Sequence, residues 1–149
     1  MEDYNHINQS IGFYLGHTFR TIKTVLNKLF HDSGFNVTSE QWHVLMSLWA
    51  KDGKTQQEIN IAVTKEKATV TRLIDGLEKK NLIVRIQDKE DRRKNLIYLT
   101  NEGKAVREKL MPIAARTLEV AVEGFTPEEI ETFRNMLIRV QNNLKNNTK

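Results

Sequence analysis

A mainly α-helical chain carrying one small β-hairpin is the fold class that these 149 residues predict, and three observations carry it. Thr38-Ser39-Glu40-Gln41, Thr55-Gln56-Gln57-Glu58 and Thr126-Pro127-Glu128-Glu129 have the capping-box pattern, in which a Thr hydroxyl takes the N3 amide and a Glu or Gln reaches back. Apolar residues recur at three- and four-residue steps over most of the chain, the period of one helix face. That period breaks once, at two β-branched runs on either side of a wholly polar tip.

Taken in order, the first helix is expected over about Tyr4 to His31, with Ile11, Leu15, Thr18, Ile22, Val25 and Leu29 in one stripe and Gly34 as its end. A second follows Thr38 and turns Trp42, Leu45, Met46 and Trp49 inward until Asp52-Gly53 stops it. A short third, capped by Thr55, buries Ile59, Ala62 and Val63. The fourth spans about 66–80 with Val70, Leu73, Ile74 and Leu77 inside, and Asn81 follows at a position that favours a left-handed residue. Residues 82–87 and 95–99 then form the antiparallel hairpin around the tip 88–94. Thr100 caps a fifth helix that turns Val106, Leu110, Ile113 and Leu118 inward, and Pro112 should kink it because one backbone donor is missing. The sixth helix carries Ile130, Phe133, Leu137, Val140 and Leu144, and its tail from Asn142 to Asn147 should fray.

Composition narrows the function. The chain has no Cys, which excludes disulfides, zinc–thiolate sites and thiol switches, and no apolar run long enough for a membrane span. It has no leader-like start either, so a cytoplasmic protein without membrane contact is expected. There is no Gly-rich phosphate loop, G-x-S-x-G or H-E-x-x-H, so no catalytic residues and no cofactor are expected. His6 and His17 lie roughly 16 Å apart along one helix, too far to share an ion, and with His31 and His43 elsewhere no metal is expected. The net charge of +4 is concentrated: residues 51–94 hold twelve Lys/Arg against eight Asp/Glu, while the remainder is neutral. This is the footprint of a polyanion reader between two neutral helical arms.

Helix, helix, short turn, helix and a hairpin with a basic tip make a winged helix-turn-helix. A helix fits the major groove of DNA, while an Arg on a thin loop enters the narrower minor groove, where the potential is most negative. With Val70, Leu73, Ile74 and Leu77 inward, Lys67, Thr69, Arg72 and Asp75 lie outward, and the stretch from Lys67 through Ala68, Thr69 and Thr71 to Arg72 is placed to probe bases. A winged-helix module for protein–protein assembly is the competing reading, but it has no need of Arg72, Asp91, Arg92 and Arg93 together.

The residues also carry a family resemblance. Thr55-Gln56-Gln57-Glu58-Ile59, the stretch from Lys67 to Asp75, Leu77 to Ile83, Asp91-Arg92-Arg93 and Leu99 to Gly103 resemble, in order and spacing, the multiple antibiotic resistance regulator (MarR) family. The resemblance implies a transcriptional regulator, more often a repressor, in a bacterial cell. It implies that Ala68, Thr69 and Arg72 approach base edges and that Arg93 enters the minor groove, with Arg92 too close to be separated from it. Asp91 would hold the wing arginines, and Thr55 and Gln56 would meet phosphate at a helix N-terminus. Residues 36–100 would form the DNA-binding domain, and residues 1–35 and 101–149 the region that joins two copies into a homodimer on a pseudo-palindromic operator in double-stranded DNA. A small, often aromatic, acid would bind between arms and DNA-binding lobe, with Phe13, His17 and Trp42 as candidate ligand residues. Asn60 departs from the small apolar residue common in the family, Thr64-Lys65 from a more apolar turn, and Asn81 from the usual Gly. Gly76 should weaken the recognition helix by about 1 kcal/mol relative to Ala.

Overall fold

Ser10 opens the described chain, residues 10–147 of a computed structural model, by accepting a hydrogen bond from the Phe13 amide and so capping α1 (Ile11–Asp32). The backbone of Ser10 is extended, which interrupts the continuous helix expected from Tyr4; Tyr4 and His6 themselves lie outside the described residues. The helix-turn-helix follows as α2 (Ser39–Ala50), α3 (Gln56–Val63) and α4 (Lys67–Lys79). Both expected capping boxes form here: Thr38 pairs with Gln41 and Thr55 with Glu58. Asn81 adopts φ +57°, and the Leu82 amide reaches the Leu77 carbonyl at 3.0 Å, so a left-handed Asn ends α4 as the sequence predicts.

The wing is a three-stranded antiparallel sheet of β1 (Lys54–Thr55), β2 (Ile83–Gln87) and β3 (Asn95–Leu99), in the order β1-β3-β2. The hairpin was legible, but β1 was not, because two residues pairing with Leu96 and Ile97 leave no periodic signal. Leu45, Leu48, Ile59, Val70, Ile74, Leu77, Ile83 and Ile97 close the core between the three helices and the sheet, each at most 1% exposed. Met46, placed inward from its spacing, is exposed, as are Ala62 and Leu118.

Beyond the wing, α5 (Asn101–Ala105) is seated on the sheet and α6 (Arg107–Ala121) packs along α1. The expected single fifth helix is therefore divided, and the division falls at Val106 rather than at Pro112, which lies within α6. Gly103 fixes that seat. A Cβ on it would stand 1.9 Å from the Leu82 carbonyl oxygen, and its own carbonyl takes the Trp49 indole N–H at 2.8 Å. The last helix, α7 (Pro127–Asn147), opens with a third reciprocal cap between Thr126 and Glu129 and is helical through Asn147. No helix among the described residues is long and apolar enough to cross a membrane.

Candidate nucleic-acid interface

On α4 the apolar period turns Val70, Ile74 and Leu77 into the core and leaves Lys67, Ala68 and Arg72 exposed on the opposite side. Thr69 and Thr71 are half-buried between the two faces. Gln56, the first residue of α3, donates to the Thr71 hydroxyl at 2.6 Å and to the Lys67 carbonyl at 3.3 Å, while Thr71 donates to the same carbonyl at 2.9 Å. Thr55 is committed locally: its hydroxyl accepts from the Glu58 amide at 3.2 Å, and its own amide, at 2.8 Å, holds the Glu58 carboxyl below its ordinary pKa. The side chains of Thr55, Gln56 and Thr71 therefore brace the protein. What α3 offers an anion is the first-turn backbone amides outside its capping box, those of Gln56 and Gln57, at the positive end of the helix dipole.

The wing tip is built around Asp91. Its carboxylate accepts from the Arg93 amide at 3.1 Å and from the Arg93 Nε at 3.2 Å, and the amide bond holds its pKa below the usual carboxylate range. Gln87 donates to the Arg92 carbonyl at 2.6 Å, and the Asp88 amide donates to the Lys94 carbonyl at 2.9 Å, closing the loop. The Arg93 side chain stays 91% exposed despite its contact with Asp91. Neither Arg72 nor Arg92 has an ion-pair partner among the described residues. A hollow lined by Thr55, the N-cap of α3, by Gln56 and Gln57 of α3 and by Lys94 and Asn95 of the wing joins the two parts. Through Gln56 the same helix start also touches the first turn of α4, so α3 sets the recognition helix and the wing beside one another.

Sequence reasoning missed Arg85. From β2 its guanidinium forks to Asp75 and Glu78 of α4, the latter at 2.7 Å, and welds the wing to the outer edge of the recognition helix. A signal existed. Arg85 lies two residues from buried Ile83 and so points to the same side of the sheet, where a cation needs partners, and Asp75 and Glu78 are spaced i, i+3. Gly76 weakens the helix by propensity but has a packing role: a Cβ there would lie 2.6 Å from Gln41 Nε2, so the residue admits the α2 cap against α4. Gln41 in turn accepts from Lys80 at 2.7 Å, and burial lowers the pKa of that lysine.

The three candidate ligand residues do not converge. Phe13 and His17 stack at 5.8 Å on the exposed N-terminal part of α1, whereas Trp42 is buried beside Phe30 and Trp49. Trp42 borders a cavity of about 420 Å³ between α1, α2 and α6, where Ile22 and Leu26, not Phe13 or His17, supply the α1 wall. A wider apolar cleft of about 860 Å³ runs between α1, α6 and α7, lined by residues including Ile22, Leu118, Phe125, Phe133 and Leu137.

Comparison with known proteins bears on this surface. Residues 37–94, which span the helix-turn-helix and the wing, match the family model described as "MarR family". The HTH-type transcriptional regulator MhqR of Bacillus subtilis (strain 168) is 29% identical over 88% of this chain and 89% of its own length. The uncharacterized HTH-type transcriptional regulator YkoM of the same organism is 33% identical over 74% of this chain and 72% of its own. Among solved structures, Bordetella bronchiseptica BpsR, whose DNA binding is described as regulated by 6-hydroxynicotinic acid, superimposes with a TM-score of 0.83 at 25% identity, covering 91% of this chain and 96% of that one. An open recognition helix, a basic wing braced on it and relatives matched across both lobe and arms agree, and the chain belongs to the MarR family of DNA-binding transcriptional regulators.

Proposed function

We propose that this protein is a cytoplasmic, non-catalytic homodimeric repressor that reads a pseudo-palindromic operator in double-stranded DNA and releases it when a small aromatic acid binds. Residues 36–100 form the reading lobe in this account, and residues 1–35 and 101–149 the dimerisation arms. Lys67, Ala68, Thr69 and Arg72 face base edges in the major groove. Arg93, with Arg92 beside it, enters the minor groove under the hold of Asp91, and the first-turn amides of α3 at Gln56 and Gln57, next to the Thr55 cap, take a phosphate. The observation that carries this reading is the placement of α3: its N-terminus touches the start of α4 through Gln56 and faces the wing across a shared hollow. The uncovered apolar arms support the dimer, since one lobe contacts too few base pairs for a specific site. The cavity beside Trp42, with its apolar walls, supports an aromatic effector, as does the ligand described for BpsR.

Titration of two variants against the selected operator, a base-substituted operator and random duplex tests the assignment. Arg72→Ala should cost about 1–3 kcal/mol per half-site on the operator and much less on random DNA. Arg93→Ala should weaken binding most where the flanking DNA is A/T-rich, because such tracts narrow the minor groove, and Arg93→Lys should recover only part of the loss. Equal weakening of all three duplexes by Arg72→Ala, with the salt slope reduced by about one, would make Arg72 a phosphate contact and overturn its base-reading role.

A further inference from the structure

The turn between α3 and α4 aims the recognition helix; its own backbone closes it through the Thr64 amide to the Ile61 carbonyl at 3.3 Å and the Lys65 amide to the Asn60 carbonyl at 3.2 Å. Thr64 sits at φ +52°, a left-handed conformation uncommon for Thr, and Glu66, at the N-cap of α4, makes no side-chain cap. The side chain of Lys65 supplies an outside hold: its Nζ meets Glu40 Oε1 at 3.3 Å, and Lys23 of α1 meets the same oxygen at 2.9 Å. Glu40 stands in the first turn of α2, where the helix dipole favours a carboxylate. The hydrogen bond from Lys23 and the contact with Lys65 hold its pKa below the ordinary range although burial opposes this. All three side chains are about one-third exposed, which shields the contacts without deeply burying charge.

Lys23 lies on the helix whose other exposed residues include Tyr14, Phe19 and Val25, part of the uncovered apolar arm. The chain of contacts Lys23–Glu40–Lys65 thus runs from the arm to the turn that launches α4. We infer that Glu40 is a positioning residue that fixes the recognition helix relative to the dimer arms and thereby sets which half-site spacing the protein accepts. The inference rests on the dimeric reading above. Its physical basis is geometric: one inserted base pair shifts the second half-site by about 3.4 Å and rotates it by roughly 35°. Contacts from the arm to the turn stiffen the recognition helix against that displacement, and losing them lets the lobe follow it more readily.

The experiment measures binding to the selected operator, to the same operator with one base pair inserted or deleted between half-sites, and to a single half-site. The parent should prefer its own spacing. Glu40→Gln should lower that preference by about threefold per protomer, the scale of a partly exposed ion pair, while leaving half-site affinity and melting temperature close to the parent's. Lys65→Met should do the same, and the double variant should add little, because both act through one contact. Lys65→Arg should restore the preference. A spacing preference that survives Glu40→Gln overturns the inference alone. So does additivity of the two substitutions with a lower salt slope for Lys65→Met, which makes Lys65 a phosphate contact. A parent with no spacing preference and a scattering mass near 17.3 kDa overturns the dimeric reading together with it.

Discussion

The reading lobe and the helical arms carry the same three-four apolar pattern, yet one closes on itself and the other does not. In the lobe, Leu45, Leu48, Ile59, Val70, Ile74 and Leu77 are all fully buried. Over its 21 residues α7 buries none, and Phe133, Met136, Ile138 and Leu144 remain between 46% and 63% exposed. The long α1 buries only Leu26 and Phe30, near the end where it meets α2. A helical period therefore fixes which residues share a face, but not whether the surface covering that face belongs to the same chain. Contiguous exposed apolar area of this kind marks an interface.

The largest effect expected is at the joint between the two regions. Gly103→Ala would drive a methyl into the Leu82 carbonyl, a backbone atom that cannot swing aside. A cost of about 3 kcal/mol, or a melting temperature lower by roughly 10 °C, should follow. Thermal scans at several protein concentrations check it: the loss should be the same at each, because the damage lies within one chain. A variant that melts with the parent would mean that α5 sits more loosely than described.

The arms should respond in the opposite way. Phe133 is already 46% exposed in one chain, so Phe133→Glu should be tolerated by a monomer and rejected by a paired surface. The parent's melting temperature should rise with concentration, and Phe133→Glu should abolish that rise while halving the mass seen by light scattering. If the parent's melting is independent of concentration, the contrast between lobe and arms does not arise from a missing second copy.

What was legible follows the same division. Capping boxes are local, side chain to nearby amide, so Thr38, Thr55 and Thr126 identified their helices without knowledge of the fold. The left-handed turn at Asn81 is local too. The outward placement of Arg72 needed only the inward placement of Val70, Leu73, Ile74 and Leu77. Contacts between distant segments were less legible. β1 depends on a partner some forty residues on, the break at Val106 on the seat of α5 against Leu82, and the role of Gly76 on Gln41 of another helix. The side-chain role of Gln56 was equally hidden, because nothing nearby in sequence shows that Thr71 and Lys67 occupy its carboxamide; its place at the α3 N-terminus was legible from the Thr55 cap. The ligand residues fared as they did for a related reason: spacing places Phe13 and His17 together, but only the packing of α1 on α2 decides which turn of α1 meets Trp42.

The smallest expected effect tests how complete the closure of the lobe is. Asn60, on α3, stands where the family resemblance implies a small apolar residue, and its Oδ1 is buried without a hydrogen-bond partner. A buried carbonyl oxygen stripped of water and left unpaired carries a desolvation penalty of about 1–3 kcal/mol. Truncation removes that penalty but also removes the contacts of the side chain, and Ala is the better helix former by a few tenths of a kcal/mol. Asn60 is only half-buried as a residue, so the lost packing is modest. Asn60→Ala should therefore stabilise the protein by about 1 kcal/mol. Urea titration should show a higher midpoint with an unchanged slope, since the area exposed on unfolding barely changes. Operator affinity should hold, because Lys67, Ala68 and Arg72 keep their positions on α4. A lower midpoint would mean that the amide packs or donates more effectively than its lone oxygen costs, and that the lobe was already closed at this position.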